Sequence, residues 1–281
     1  MKIFERSGDL QFFLDSCRND NRGVSLVPTM GGLHDGHLRL VEKAQFLTDI
    51  VVVSIFVNPT QFSKGEDFNS YPKTFSNDKL LLEEQGIDAL FVPSKDEIYP
   101  NGTLSNYDVG EMGRLLCGSS RPKHFNGVAQ VVNRLFDIVK PNYSIFGEKD
   151  FQQLLIIKSL VKNNNLNVSI ESVSTQRESD GLAMSTRNKY LDSKDRKKAP
   201  LFYQQLRNAK TAIEQGSPVK LVLKKTLSEL DINFEVEYLE VLNANNLKQI
   251  ATNTSEIIII SAIRLGDTRL IDNILFRRSN V

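Results

Sequence analysis

The run IVVVSIFV, residues 50–57, is almost unbroken in apolar side chains. A strand with one solvated face alternates polar and apolar residues, whereas a run like this is buried on both faces. Such strands belong to parallel sheets flanked by helices, and the neighbouring sequence supplies the required alternation. Residues 24–27 (VSLV) form a short apolar run, and Leu38, Val41 and Ala44 follow at helical spacing. Beyond residue 57, a polar loop and a Leu- and Glu-rich helix through 80–85 lead to a strand at 89–92. A longer loop, from 93 to about 121, carries several glycines and prolines. Val128, Val131, Val132, Leu135 and Val139 then mark one face of a helix. A strand at 143–146, a helix at 151–161 and a strand at 167–172 complete the region.

This β-α-β order predicts an α/β protein built on a Rossmann-like, doubly wound parallel sheet. The pattern then changes. Helices are expected at roughly 192–215 and 219–230, and strands at 234–241, 257–263 and 268–274. The chain therefore divides into a parallel-sheet domain over 1–175 and a smaller α+β domain over 176–281. Two domains suit 281 residues at roughly 100–200 per domain.

With 35 basic and 34 acidic residues the net charge is +1, without the basic surplus of a nucleic-acid binder. The run KDRKK (194–198) reads as a solvated helix face. No apolar run approaches the roughly 20 residues of a membrane span, and MKIFERSGDL lacks the apolar core of a signal peptide. Cys17 and Cys117 are isolated, without CxxC spacing. Together these features favour a reduced, cytoplasmic compartment with no membrane partner.

The chain has three histidines, and two of them, His34 and His37, lie in PTMGGLHDGH (28–37). That stretch falls between the first apolar run and its helix, at the carboxyl edge where open parallel sheets bind ligands. Gly31, Gly32 and Gly36 let backbone amides approach a ligand, and the helix start offers unpaired N–H groups and a positive dipole end. This is an anion site of the kind phosphate occupies, with titratable imidazoles beside it. Purely structural histidines are the alternative. Metal ligation by His34 and His37 is disfavoured, because His124 is the only other histidine and no HExxH or nearby cysteine is present.

Four further segments carry polar groups. SIFVNPTQF (54–62) leaves a strand with Asn58 and Gln61, which suit a substrate grip or an Asn-Pro turn cap. FGEKDFQQL (146–154) places Lys149, able to neutralise phosphate, beside Asp150, able to cap a helix or bind ribose or magnesium; a surface pair is the alternative. SDGLAMSTRN (179–188) sets Ser185 and Thr186 beside Arg187, which suits an oligophosphate or a helix cap. SSRPKHFNGVAQVVNRLF (119–136) puts His124 just before the periodic helix, either to contact ligand or to position its loop.

The pattern His-x-Gly-His after a first strand resembles the signature of the nucleotidylyltransferase and class I aminoacyl-tRNA synthetase superfamily. Together with the other segments, and with IRLGDTRLIDNI (263–274), the chain resembles the pantothenate synthetase (pantoate–beta-alanine ligase) family. Departures are small: Gly32 stands where alanine is usual, Asp35 where glutamate is, and Thr186 where a second serine is common. Asn77, beside Asp78, stands where some members carry an acidic residue.

The resemblance implies ATP-dependent condensation of (R)-pantoate with beta-alanine through pantoyl adenylate, giving pantothenate, AMP and pyrophosphate. It implies Mg²⁺ and a homodimer; the second domain is expected to act as a lid, because Ser185, Thr186 and Arg187 lie near the domain junction. His37, His34, Lys149 and Arg187 would be catalytic. Met30, Gly31, Gly32, Leu33, Asp35, Gly36, Gly147, Glu148, Asp150, Gln176, Met184, Ser185 and Thr186 would join them around ATP. Gln61 and Gln153 would hold pantoate and beta-alanine, and Asp78 would contact the metal. One rival is another nucleotidylyltransferase of the superfamily, against which the glutamine pair argues. A non-catalytic nucleotide sensor is the other, and the retention of both histidines, Lys149 and Arg187 argues against it.

Overall fold

Six strands form one parallel sheet in a computed structural model that describes residues 1–63, 65–103 and 107–278. In chain order the first unit runs β1 (Lys2–Phe4), α1 (Ser7–Asn19), β2 (Val24–Thr29), α2 (Asp35–Leu47), β3 (Ile50–Ile55), α3 (Phe75–Glu84) and β4 (Ala89–Phe91). It continues through α4 (Lys95–Ile98), α5 (Cys117–Ser120), α6 (His124–Val139), β5 (Tyr143–Gly147), α7 (Phe151–Asn163) and β6 (Ser169–Val173). The sheet order is β1-β4-β3-β2-β5-β6. From β2 the chain winds one way through β3 and β4 and the other way through β5 and β6. The order therefore reverses at β2 and β5, and the crevice beyond their carboxyl ends is where such sheets bind ligands.

Alternate residues explain the layers. Val24, Leu26, Ile50 and Val52 face a core shared with α1, α6 and α7. Val27, Val51 and Val53 face the opposite core with α2 and α3. Both faces are covered, as the unbroken apolar run of β3 requires.

The second unit runs α8 (Ser193–Lys198), α9 (Pro200–Glu214), α10 (Val219–Leu230), β7 (Glu235–Asn243), β8 (Glu256–Leu265) and β9 (Thr268–Arg277). Its strands form an antiparallel sheet ordered β7-β8-β9, with Phe202, Leu206, Val222 and Leu230 of the helices packed on Ile257, Ile259 and Ile263. The helix expected over 192–215 is two helices, because Pro200 stands at the start of α9 and cannot continue a helix from α8. The chain divides by its contacts into Met1–Glu148 with Gln152–Ser174, and Lys149–Phe151 with Thr175–Val281.

Candidate active site

The turn after β2 is built on glycine. Gly31 and Gly32 have φ of +80° and +66°, a left-handed region that strains other residues. The amide of Gly31 donates to Thr29 Oγ1 at 3.2 Å. The amides of Gly32 and Leu33 donate to Asp78 Oδ2 and Oδ1, each at 2.9 Å, and Thr74 Oγ1 donates to Asp78 Oδ1 at 3.0 Å. The expectation of glycine amides open to a ligand is thus corrected at Gly32. Buried N–H groups need a partner, and a carboxylate from α3, 1% exposed, supplies it. Two amides and a hydroxyl make Asp78 a clamp on the turn, which lends its expected metal contact no support. Among the described residues no group of three or more His, Cys, Asp or Glu could hold a metal ion.

His34 caps α2. Its Nδ1 accepts from the Gly36 amide at 3.2 Å, and its carbonyl accepts from the His37 amide at 2.7 Å. His37 Nδ1 accepts from the His34 amide at 3.4 Å. The expected unpaired amides at this helix start are therefore taken up by the cap at Gly36 and His37. An amide only donates, so Nδ1 of each neutral ring is a lone-pair nitrogen and Nε2 carries the hydrogen. The half-buried rings lie 4.2 Å apart between centroids, tilted by 52°. Asp35, in the first turn of α2, is exposed.

After β3 the chain enters a 3-10 turn, Pro59–Gln61, capped by Asn58, which is 1% exposed. Asn58 Oδ1 accepts from Thr60 N (3.3 Å), Thr60 Oγ1 (3.0 Å) and the Tyr99 hydroxyl (2.6 Å). Burial holds the Tyr99 phenol above its ordinary value of 10.0, so it stays a donor. Asn58 Nδ2 donates to Gly127 O at 3.1 Å and to Gln61 Oε1 at 3.2 Å. Of the two readings of Asn58, the turn cap is the one built here. The Gln61 carboxamide is oriented in consequence: its oxygen accepts from Asn58, and its nitrogen donates to Met30 Sδ at 2.9 Å.

The backbone of Gln61 is held separately. His124 Nδ1 lies 2.7 Å from its carbonyl oxygen, and Arg121 Nη1 lies 3.1 Å from His124 Nε2. A guanidinium cannot accept, so Nε2 is the acceptor and Nδ1–H donates to the carbonyl. Arg121 is fixed in turn by Glu66, at 2.6 and 2.7 Å. Burial pushes the Glu66 carboxyl up, but the hydrogen bonds and charge of Arg121 outweigh it and hold the group below its ordinary 4.5. His124 thus positions a loop. Gln152, 3% exposed, accepts from Cys117 N at 3.2 Å and donates to Met112 O and Leu115 O at 2.8 Å. Gln153, the next residue in the first turn of α7, is half-buried. At the end of β5, Gly147 has open space where a Cβ would sit, and Glu148 accepts from Ser172 Oγ at 2.9 Å.

In the second unit Lys149 is half-buried and Asp150 exposed. Residues 176–184 form a small hairpin: Met184 N donates to Gln176 O at 2.9 Å, and Arg177 bridges Ala183. It delivers Ser185 as cap of a 3-10 turn, Thr186–Tyr190, where Ser185 Oγ accepts from Arg187 N at 3.3 Å. Thr186 is buried and Arg187 half-buried. The cap and the phosphate readings are compatible, because a hydroxyl that accepts still has a hydrogen to donate.

Residues 2–275 match the family model described as pantoate-beta-alanine ligase. The chain belongs to the pantoate–beta-alanine ligase family. It is a ligase that joins pantoate to beta-alanine. Its relatives include the pantothenate synthetase of Vesicomyosocius okutanii, 48% identical over 280 residues that cover 100% of this chain and 99% of the relative. Crystallised pantothenate synthetase from Thermus thermophilus shares 40% identity and a TM-score of 0.92, covering 98% of this chain and 99% of that one. The Francisella tularensis ligase, solved in complex with beta-gamma ATP and beta-alanine, shares 36% identity and a TM-score of 0.83, with 98% and 97% covered. The family and doubly wound fold expected from the sequence are therefore both found.

Proposed function

We propose that this ligase takes ATP as its energy source and works through an acyl adenylate. A carboxylate oxygen of pantoate attacks the α-phosphorus of ATP, the bond to the β-bridging oxygen breaks, and pyrophosphate leaves with the electron pair. The amine nitrogen of beta-alanine then attacks the acyl carbon, the bond to the AMP oxygen breaks, and the amine releases a proton. The Francisella relative, complexed with an ATP-type ligand and beta-alanine, supports ATP as co-substrate.

What supports the mechanism most is the pair of imidazoles at the start of α2. With both Nδ1 atoms accepting from backbone amides, His34 and His37 each carry their donor at Nε2, suited to oxygens that gain charge as pyrophosphate departs. Lys149 and Arg187 are the cations of the reading, with Ser185 and Thr186 as hydroxyl donors. Met30, Gly31, Gly32, Leu33, Asp35, Gly36, Gly147, Glu148, Asp150, Gln176 and Met184 complete the proposed ATP contacts. Gln61 and Gln153 hold the organic substrates as neutral groups, which leaves the pantoate carboxylate its nucleophilicity. Mg²⁺ would supply charge neutralisation at the triphosphate, and Asp150, exposed just before the main turns of α7, is the carboxylate that would hold it. The working protein is a cytoplasmic homodimer.

Pantoate-dependent exchange of pyrophosphate into ATP, followed by AMP release only when beta-alanine is added, is the expected result. Exchange without pantoate would refute the adenylate route. His37→Ala, Lys149→Ala and Arg187→Ala are each expected to slow exchange by about 10²–10³ with the fold intact.

A further inference from the structure

The segment LIDNI, within the closing strand β9, carries a buried polar network that the proposed chemistry does not yet use. Asp272 and Asn273 are 2% and 5% exposed. Arg177 grips Asp272 with two nitrogens, Nη1 to Oδ2 at 2.6 Å and Nη2 to Oδ1 at 2.9 Å. The guanidinium lies 3.4 Å over the Tyr203 ring, and its Nη1 also donates to the Gly181 carbonyl at 3.2 Å. Asp272 Oδ1 accepts from the Asn273 amide at 2.7 Å, and Asn273 Nδ2 donates to the Lys149 carbonyl at 3.0 Å.

One ion pair thus steers two pieces of backbone. Through Gly181 it holds the hairpin that delivers Ser185–Arg187, and through Asn273 it holds Lys149. Residues Lys149–Phe151 group with the second unit although the sequence on either side belongs to the first. A buried ion pair is a weak source of stability, since well-packed apolar side chains of similar volume often do as well or better. A fully bonded polar network does fix one geometry.

We infer that Asn273, oriented by the Asp272–Arg177 pair, is a positioning residue for Lys149, an inference that rests on the reading of Lys149 as a phosphate contact. The carboxamide holds the lysine by its carbonyl, so the ammonium group is aimed without being tied. Removing the amide donor lets the backbone drift, and a misplacement of about 1 Å costs on the order of 10²-fold in rate.

The test is a double-mutant cycle on pantoate-dependent pyrophosphate exchange, with folding checked by circular dichroism. Asn273→Ala is expected to slow exchange about ten- to a hundredfold. In a Lys149→Ala background the same change should alter the rate by no more than about twofold, because there is no ammonium left to aim. A merely structural role would cost the same in both backgrounds. If Asn273→Ala does not fold, Asp272→Asn enters the same cycle, since it removes the ion pair that orients Asn273. Wild-type exchange in Asn273→Ala, or equal losses in both backgrounds, overturns the inference alone. Wild-type exchange in Lys149→Ala overturns the reading of Lys149 and the inference with it.

Discussion

Gly127→Ala tests how closely Gln61, proposed to hold substrate, depends on its surroundings. The glycine lies in the first turn of α6, where the helix meets the 3-10 turn that carries Gln61. A Cβ built there would sit 2.3 Å from the Thr60 carbonyl oxygen, 2.5 Å from its carbon and 2.8 Å from the Gln61 amide nitrogen. All three are backbone atoms, so no flexible side chain can swing away. Ordinary contact begins at 3.4 Å, so the turn and the helix must separate by about 1 Å. The same shift stretches the bond from Asn58 to the Gly127 carbonyl, now 3.1 Å, and Asn58 is what orients the Gln61 carboxamide. Overpacking of this kind costs about 1–3 kcal/mol of stability. The larger effect is on Gln61: a displacement of about 1 Å is expected to lower kcat/KM for pantoate on the order of 10²-fold. Pyrophosphate exchange over a range of pantoate concentrations, with circular dichroism on the same sample, measures both. A folded Gly127→Ala enzyme with wild-type kcat/KM for pantoate would refute the argument that backbone contact at Gly127 sets the position of Gln61.

Two further perturbations follow from the clamps. Asp78→Ala leaves the Gly32 and Leu33 amides without their carboxylate; at about 1–3 kcal/mol for each unsatisfied buried group, Tm should fall by several degrees. An unchanged Tm in a thermal melt would show that other groups satisfy the turn. Glu66→Gln probes pH. Because Arg121 holds the folded Glu66 carboxyl below its ordinary 4.5, the pair stabilises the fold above that value, and the contribution is lost as pH falls through the lowered one. Urea titrations should therefore show the variant's deficit in full at pH 7 and shrinking below about pH 4.5. A deficit that grows on acidification would reverse the assigned direction.

The parallel sheet was legible because strands covered on both faces leave apolar runs that no loop carries, and β3 is the clearest case. Its edge was not: β1 has three residues, KIF, too few to show a period. The short helices α4 and α5 were hidden in the expected 93–121 loop for the same reason. His34 and His37 were legible from their place between a strand and a helix start. Asp78, His124 and Asn273 were not legible as clamps, since their backbone partners lie 46 or 45, 63 and 124 residues away. Gly127 did leave a signal. A glycine near the start of an otherwise apolar periodic helix costs about 1 kcal/mol relative to alanine, so its presence implies a close approach.

The three clamps share a physical logic. Asp78 holds the Gly32 and Leu33 amides, His124 holds the Gln61 carbonyl, and Asn273 holds the Lys149 carbonyl. Each acts on main chain and leaves the neighbouring functional side chain outside the bond. A hydrogen already donated within the protein cannot also serve a ligand, so a loop located by atoms the chemistry does not need keeps its donors available. Buried carboxylate, imidazole and carboxamide groups suit the task, because leaving one of their partners unpaired costs more than a typical hydrogen bond contributes. A testable asymmetry results. Substitution of a clamp should lower both Tm and turnover, whereas substitution of Lys149 should lower turnover with little change in Tm. A clamp variant that lost stability at wild-type turnover would separate the two roles and show that the loops find their catalytic positions without these bonds.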